Sequence, residues 1–105
     1  MVRGEVFRLR APRNTRGSEQ RGSRYAVVVQ ADELLGLSTV LVAPTSTSAT
    51  PQPFRPLVEI DRAKTLVMVE QTTAVDPGRL GESAGRLNAS ELRAVDEALT
   101  LAFGL

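Results

Sequence analysis

A mainly β domain with one C-terminal helix, folded as a compact and partly open barrel over residues 1–105, is the fold class this sequence predicts. Three observations carry that expectation. Short runs rich in β-branched residues recur along the chain, at 24–31 (RYAVVVQA), 38–43 (STVLVA) and 65–71 (TLVMVEQ), and such runs suit the pleated, half-buried surface of a sheet. Asn88, followed three residues later by Glu91, opens the one stretch of helical periodicity. No apolar run approaches the roughly 20 residues of a membrane span, and a chain of 105 residues fits one domain.

Taken in order, residues 5–11 alternate apolar and polar, with Phe7, Leu9 and Ala11 on one face, as in a half-buried strand. Residues 12–23 (PRNTRGSEQRGS) hold almost nothing apolar and form a connection longer than a hairpin needs. Strands over 24–31 and 38–43 flank residues 32–37 (DELLGL), which predict a single helical turn closed by Gly36. Residues 44–48 (PTSTS) leave the strand in a hydroxyl-rich stretch, and Pro51, Pro53 and Pro56 make 49–56 an extended loop. Strands are predicted at 57–60 and 65–71, joined by a polar turn at 61–64, and Asp76-Pro77-Gly78 is a further turn. Residues 85–87 form a short last strand. In the helix, Leu92, Val95, Leu99 and Ala102 share one side, Arg93, Asp96 and Glu97 the other, and Gly104 ends it.

The net charge of +1 conceals an uneven distribution. Residues 1–24 hold seven arginines against Glu5 and Glu19, a net of +5, while the rest of the chain is at −4. Guanidinium groups on a polar segment suit phosphate binding, because the planar fork donates paired hydrogen bonds to phosphate oxygens. A solvated basic loop with no ligand has the same composition. The first residues lack the apolar core of a signal peptide, so a cytoplasmic protein is expected.

The chain has no histidine and no cysteine. A Ser-His-Asp or Cys-His nucleophile and a two-histidine ribonuclease scheme are therefore impossible, and the usual zinc, copper and haem ligands are missing. The carboxylates are scattered, so neither a metal nor a cofactor is expected. RNA, however, carries its own nucleophile in the 2′-hydroxyl. An enzyme that uses it must hold 2′-oxygen, phosphorus and 5′-oxygen in line and stabilise charge on the phosphorane. Arg24 at the start of one strand and Thr45-Ser46 at the end of the next have the right chemistry for that task.

Four segments in order resemble the MazF/PemK toxins: residues 15–20 (TRGSEQ) followed by 24–29 (RYAVVV), residues 39–47 (TVLVAPTST), residues 69–71 (VEQ), and residues 85–92 (GRLNASEL) continuing to Leu99. The resemblance implies an SH3-like small β-barrel homodimer that cleaves single-stranded RNA, often within a short sequence, leaving a 2′,3′-cyclic phosphate and a 5′-hydroxyl, and is held inactive by a cognate antitoxin. It carries the family's catalytic arginine onto Arg24, its catalytic hydroxyl onto Ser46 with Thr45 as the competing assignment, and its acidic residue onto Glu70. Tyr25 stands where the family has proline, Ser46 where it has threonine, and Glu70 where it has aspartate.

Substrate contacts are expected from Ser18, Glu19 and Gln20 of the polar loop, from Thr45, Thr47 and Gln71, and from Arg16 and Arg79 toward phosphates. Glu70 either orients Arg24, helps deprotonate the 2′-hydroxyl, or makes a plain salt bridge. Two other functions share this barrel and remain open from sequence. One is a protein-binding toxin of the CcdB type, and the other is an RNA-binding barrel without activity.

Overall fold

The computed structural model describes residues 1–10 and 24–105. The expected loop over 12–23, with Arg16, Ser18, Glu19 and Gln20, lies outside the described residues. Seven strands and one α-helix occur among the described residues: β1 (Glu5–Leu9), β2 (Tyr25–Val28), β3 (Val40–Ser46), β4 (Leu57–Ile60), β5 (Ala63–Val67), β6 (Thr73–Val75), β7 (Leu80–Arg86) and α1 (Ala89–Phe103). Three single 3-10 turns, Asp32–Leu34, Val69–Gln71 and Pro77–Arg79, connect them. No described helix is long and apolar enough to cross a membrane.

The strands pair in the order β4-β5-β3-β2-β1-β7, with β6 also on β3, and each pairing is antiparallel. Strand β3 is the pivot. On one side it pairs with β2 from Val42 to Pro44; on the other it pairs with β6 from Val40 to Val42 and with β5 at Thr45 and Ser46. The sheet thus forks at β3 and curls into a half-closed barrel.

Pro44 sits at the fork, which explains how a proline is tolerated between two neighbours. The β6 ladder ends at Val42↔Thr73 and the β5 ladder begins at Thr45↔Val67, so no ladder there requires its missing N–H. Its carbonyl accepts a hydrogen bond from Met68 N at 2.8 Å. The strand therefore continues through Pro44 to Ser46, where sequence placed its end at Ala43. A proline penalty computed locally does not register a change of partner.

Strand β2 is buried on both faces, with Ala26, Val27 and Val28 all at 0% exposure. Val27 joins Val6, Ala43, Val58, Ile60, Val67, Val69 and Leu87 in the core beneath α1, completed by Val95 and Ala98 of the helix. Ala26 and Val28 face a second cluster with Val40, Val42, Val75 and Leu80, against which Phe7 and Leu9 pack. Phe7 and Leu9 do share a face, as expected, but Val6 on the other face is the residue of β1 that enters the main core.

The capping box at the start of α1 is present. Asn88 Oδ1 accepts from Glu91 N at 2.7 Å, and Glu91 Oε1 accepts from Asn88 N at 3.0 Å. The other carboxylate oxygen of Glu91 accepts from Glu59 N at 2.8 Å, so one side chain caps the helix and docks it on β4. Gly104 ends the helix at φ 71°. Ala98 takes the buried place assigned to Ala102, because the residues from Thr100 to Leu105 are all exposed beyond the core.

Three elements depart from expectation. Strand β7 begins at Leu80, five residues before the predicted start, and β6 was not anticipated; both are read poorly from sequence because Gly81, Glu82 and Ser83 and the three-residue 73–75 run carry little β pattern. The predicted 65–71 strand breaks after Val67, and the chain turns through Val69–Gln71.

Candidate active site

Antiparallel register brings Arg24 and Ser46 together. Strands β2 and β3 pair at Ala26↔Pro44; carried two residues outward, the same register sets Arg24 opposite Ser46. Directly opposed residues share a face, with Cβ atoms roughly 5 Å apart. Arg24 is still held beside β1 at this point, its carbonyl accepting from Leu9 N at 2.9 Å. The pair lines a hollow of about 160 Å³ together with Tyr25, Thr45, Thr47, Ser48, Ile60, Ala63 and Thr65.

The two candidate hydroxyls are in different situations. Thr45 is 4% exposed and its Oγ1 donates to the Tyr25 carbonyl at 3.3 Å, so it is engaged in joining β2 to β3. Ser46 is half-buried, and its Oγ accepts from Ser48 N at 3.2 Å. It also lies 3.4 Å from Ser48 Oγ, a contact in which either hydroxyl can be the donor, so Ser46 is tied to Ser48 and not to the backbone of β2. Thr47 is exposed at the rim.

Arg24 is exposed, and among the described residues no carboxylate lies within ion-pair distance of it. The far wall of the hollow is the β4–β5 hairpin, whose two-residue turn places Asp61 and Arg62 at φ 52° and 67°. Both values lie in the left-handed region, the geometry of a type I′ hairpin turn. The Tyr25 hydroxyl donates to Asp61 Oδ2 at 3.4 Å, linking that turn to the start of β2.

Glu70 is not among the residues lining the hollow. Its Oε2 accepts from Arg55 Nη2 at 2.6 Å and Nε at 3.0 Å, while Arg55 Nη1 donates to the Thr50 carbonyl at 2.8 Å. The carboxylate therefore ties the 50–55 loop to the turn after β5 in a salt bridge, and Arg24 is not its partner. Gln71, exposed on the same turn, also lies outside the lining. Arg79 donates Nη2–H to the Arg10 carbonyl at 3.0 Å and accepts from Arg10 N at 2.9 Å, closing the β1–β7 edge away from the lining residues.

Two residues of this region had no place in the sequence reading. Arg55 could be recognised only as Glu70's partner, fifteen residues away. Thr65 is 4% exposed, and its Oγ1 has no hydrogen-bond partner among the described residues. An unpaired buried hydroxyl costs about 1–3 kcal/mol. A lone hydroxyl inside an apolar run was its only signal. Among the described residues no group of three or more carboxylates is placed to hold a metal ion.

The family model for the PemK-like, MazF-like toxin of type II toxin-antitoxin systems matches residues 2–103. The chain belongs to this family. Among MazF-like relatives of similar length is Rv3098A of Mycobacterium tuberculosis, provisionally designated a toxin, 37% identical over 106 residues that cover 100% of this chain and 99% of the relative. Endoribonuclease MazF9 of the same organism is 35% identical, over 96% of this chain and 94% of its own length. A mycobacterial endoribonuclease solved in complex with its cognate antitoxin superposes with a TM-score of 0.82 at 17% identity, covering 100% of this chain and 96% of that one. MazF of Deinococcus radiodurans superposes with a TM-score of 0.79 at 21% identity, over 100% of this chain and 97% of that one, so the half-closed barrel with a terminal helix is the MazF fold.

Proposed function

We propose that this chain is a metal-independent, sequence-selective endoribonuclease toxin. It cleaves single-stranded RNA as a cytoplasmic homodimer and is neutralised by a cognate antitoxin. The observation that carries the reading is the convergence of Arg24 and Ser46 on one hollow. The similarity to MazF9, an endoribonuclease, and to a toxin solved with its antitoxin supports it.

The substrate's 2′-oxygen attacks the adjacent phosphorus while the bond from phosphorus to the 5′-oxygen breaks. The 2′-hydroxyl gives up its proton, the departing 5′-oxygen gains one, and a 2′,3′-cyclic phosphate and a 5′-hydroxyl remain. Negative charge grows on the non-bridging oxygens at the transition state. A guanidinium there stabilises it and stays charged throughout, since arginine does not deprotonate near neutral pH. Ser46, turning its hydroxyl from Ser48, donates to the same oxygens. Glu70, held by Arg55, acts as a positioning residue for the 50–55 loop. Thr47 contacts the strand at the rim, and the 15–20 segment with Gln71 reads its bases, where single-stranded RNA is usually recognised.

The test is incubation of the purified protein, in EDTA, with a long unstructured RNA, followed by mapping of cut sites and end groups. Discrete cuts bearing cyclic phosphate and 5′-hydroxyl ends are expected. Intact RNA at micromolar protein would rule the nuclease out and leave the protein-binding toxin as the better account.

A further inference from the structure

Thr65 faces the hollow from β5 and has no role in the reading above. It shares the core face of its strand with Val67, which is fully buried, and pairs with Val58 across the β4–β5 ladder. Its position is where the apolar core gives way to the polar hollow. The β3–β5 register, Thr45↔Val67 and Ser46↔Leu66, carried one residue further, sets Thr65 opposite Thr47 and next to Ser46's partner. Valine has nearly the same shape as threonine and would suit an otherwise apolar strand end at no desolvation cost. What threonine adds is a hydroxyl, and that hydroxyl is buried without a partner.

By contrast, the other buried threonine of the hollow, Thr45, is paired with a carbonyl. The two therefore differ: Thr45 is engaged in the fold, whereas Thr65 has no partner among the described residues. The hollow offers Arg24 as a cation and three neighbouring hydroxyls as donors, a set matched to an anionic oxygen.

We infer that the Thr65 hydroxyl is a substrate-contacting group that donates a hydrogen bond to a phosphate oxygen of the RNA strand seated between Arg24 and Ser46. This inference rests on the ribonuclease reading of the same hollow. It assigns the β5 wall a part in substrate binding, so that the strand is gripped from β2, β3 and β5 together.

The test compares Thr65→Val and Thr65→Ser with the parent by thermal melting, by RNA cleavage at subsaturating substrate, and by affinity for a single-stranded oligodeoxynucleotide of mixed sequence. That probe has phosphates but no 2′-hydroxyl, so it binds without being cut. Thr65→Val is expected to melt no lower than the parent, because an unpaired polar group has been removed, yet to bind and cleave about tenfold more weakly. Thr65→Ser, which restores the hydroxyl, stays within about threefold of the parent. Parental binding and cleavage by Thr65→Val would overturn the inference, as would losses that track a lowered melting temperature. A parent that binds the oligodeoxynucleotide but leaves RNA intact would refute the nuclease alone, and the binding comparison would then decide Thr65 by itself.

Discussion

Where α1 docks on β4, polar groups answer one another: Asn88 and Glu91 exchange hydrogen bonds, and Glu91 reaches on to the Glu59 amide. In the neighbouring hollow, where β2 and β3 emerge beside the β4–β5 hairpin, Thr65 Oγ1 is unpartnered and Arg24 lacks an ion-pair partner among the described residues. Both regions border the β4–β5 hairpin of the same sheet. The difference lies in what the polar groups are for. A group needed by the fold is satisfied within the fold, because leaving it buried and unpaired costs free energy. Thr65 Oγ1 is left open at that cost in the hollow, as Arg79 Nε is at the β1–β7 edge, and of the two only Thr65 lies beside Arg24 and Ser46.

The comparison is sharpened most by Arg24→Ala. Removing a preorganised donor for transition-state charge lowers rates by about two to three orders of magnitude, so RNA cleavage should fall by at least about a hundredfold. The melting temperature should hardly move, since an exposed side chain is lost. Cleavage at the parental rate would break the assignment of the hollow as the reactive region.

Under the docked helix the effects should invert. Val95 is fully buried between α1 and the sheet, and Val95→Ala should cost about 2 kcal/mol of stability in denaturant titration. The rate per folded molecule should remain near the parental value. A large loss of activity without a loss of stability would show that the helix core and the hollow are coupled more tightly than their shared packing implies.

The smallest effect belongs to the cap. Asn88→Ala should destabilise the chain by about 1 kcal/mol, again visible in denaturant titration and again without effect on cleavage. An unchanged midpoint would mean that docking of Glu91 on β4, and not the reciprocal cap, fixes the start of α1.

Much of this was legible along the chain. The extent of α1, its cap and its terminating glycine follow from contacts within a turn or two, and the structure has all three. The turn at Asp76 is equally local, with Oδ1 accepting from Gly78 N at 2.7 Å. Strand β2 announces itself through consecutive valines. Less legible were β6 and β7, whose pairing is supplied by β3 and β1 and not by their own residues. The passage of β3 through Pro44 depended on a fork in the sheet that no local propensity encodes.

The candidate site divides in the same way. Residue chemistry and order along the chain were enough to single out Arg24 and the hydroxyls at 45–47, because strands of known direction bring their ends together. Which hydroxyl is engaged with β2 and which sits beside Ser48, the pairing of Glu70 with Arg55, the placing of Arg79 on the β1–β7 edge, and the open hydroxyl of Thr65 were decided only by tertiary structure. By itself the sequence determined the kinds of chemistry available, the family and the locally stabilised elements. The fold decided which polar groups are consumed by neighbours distant in sequence and which are left for a ligand, since that depends on partners that meet only when the barrel closes.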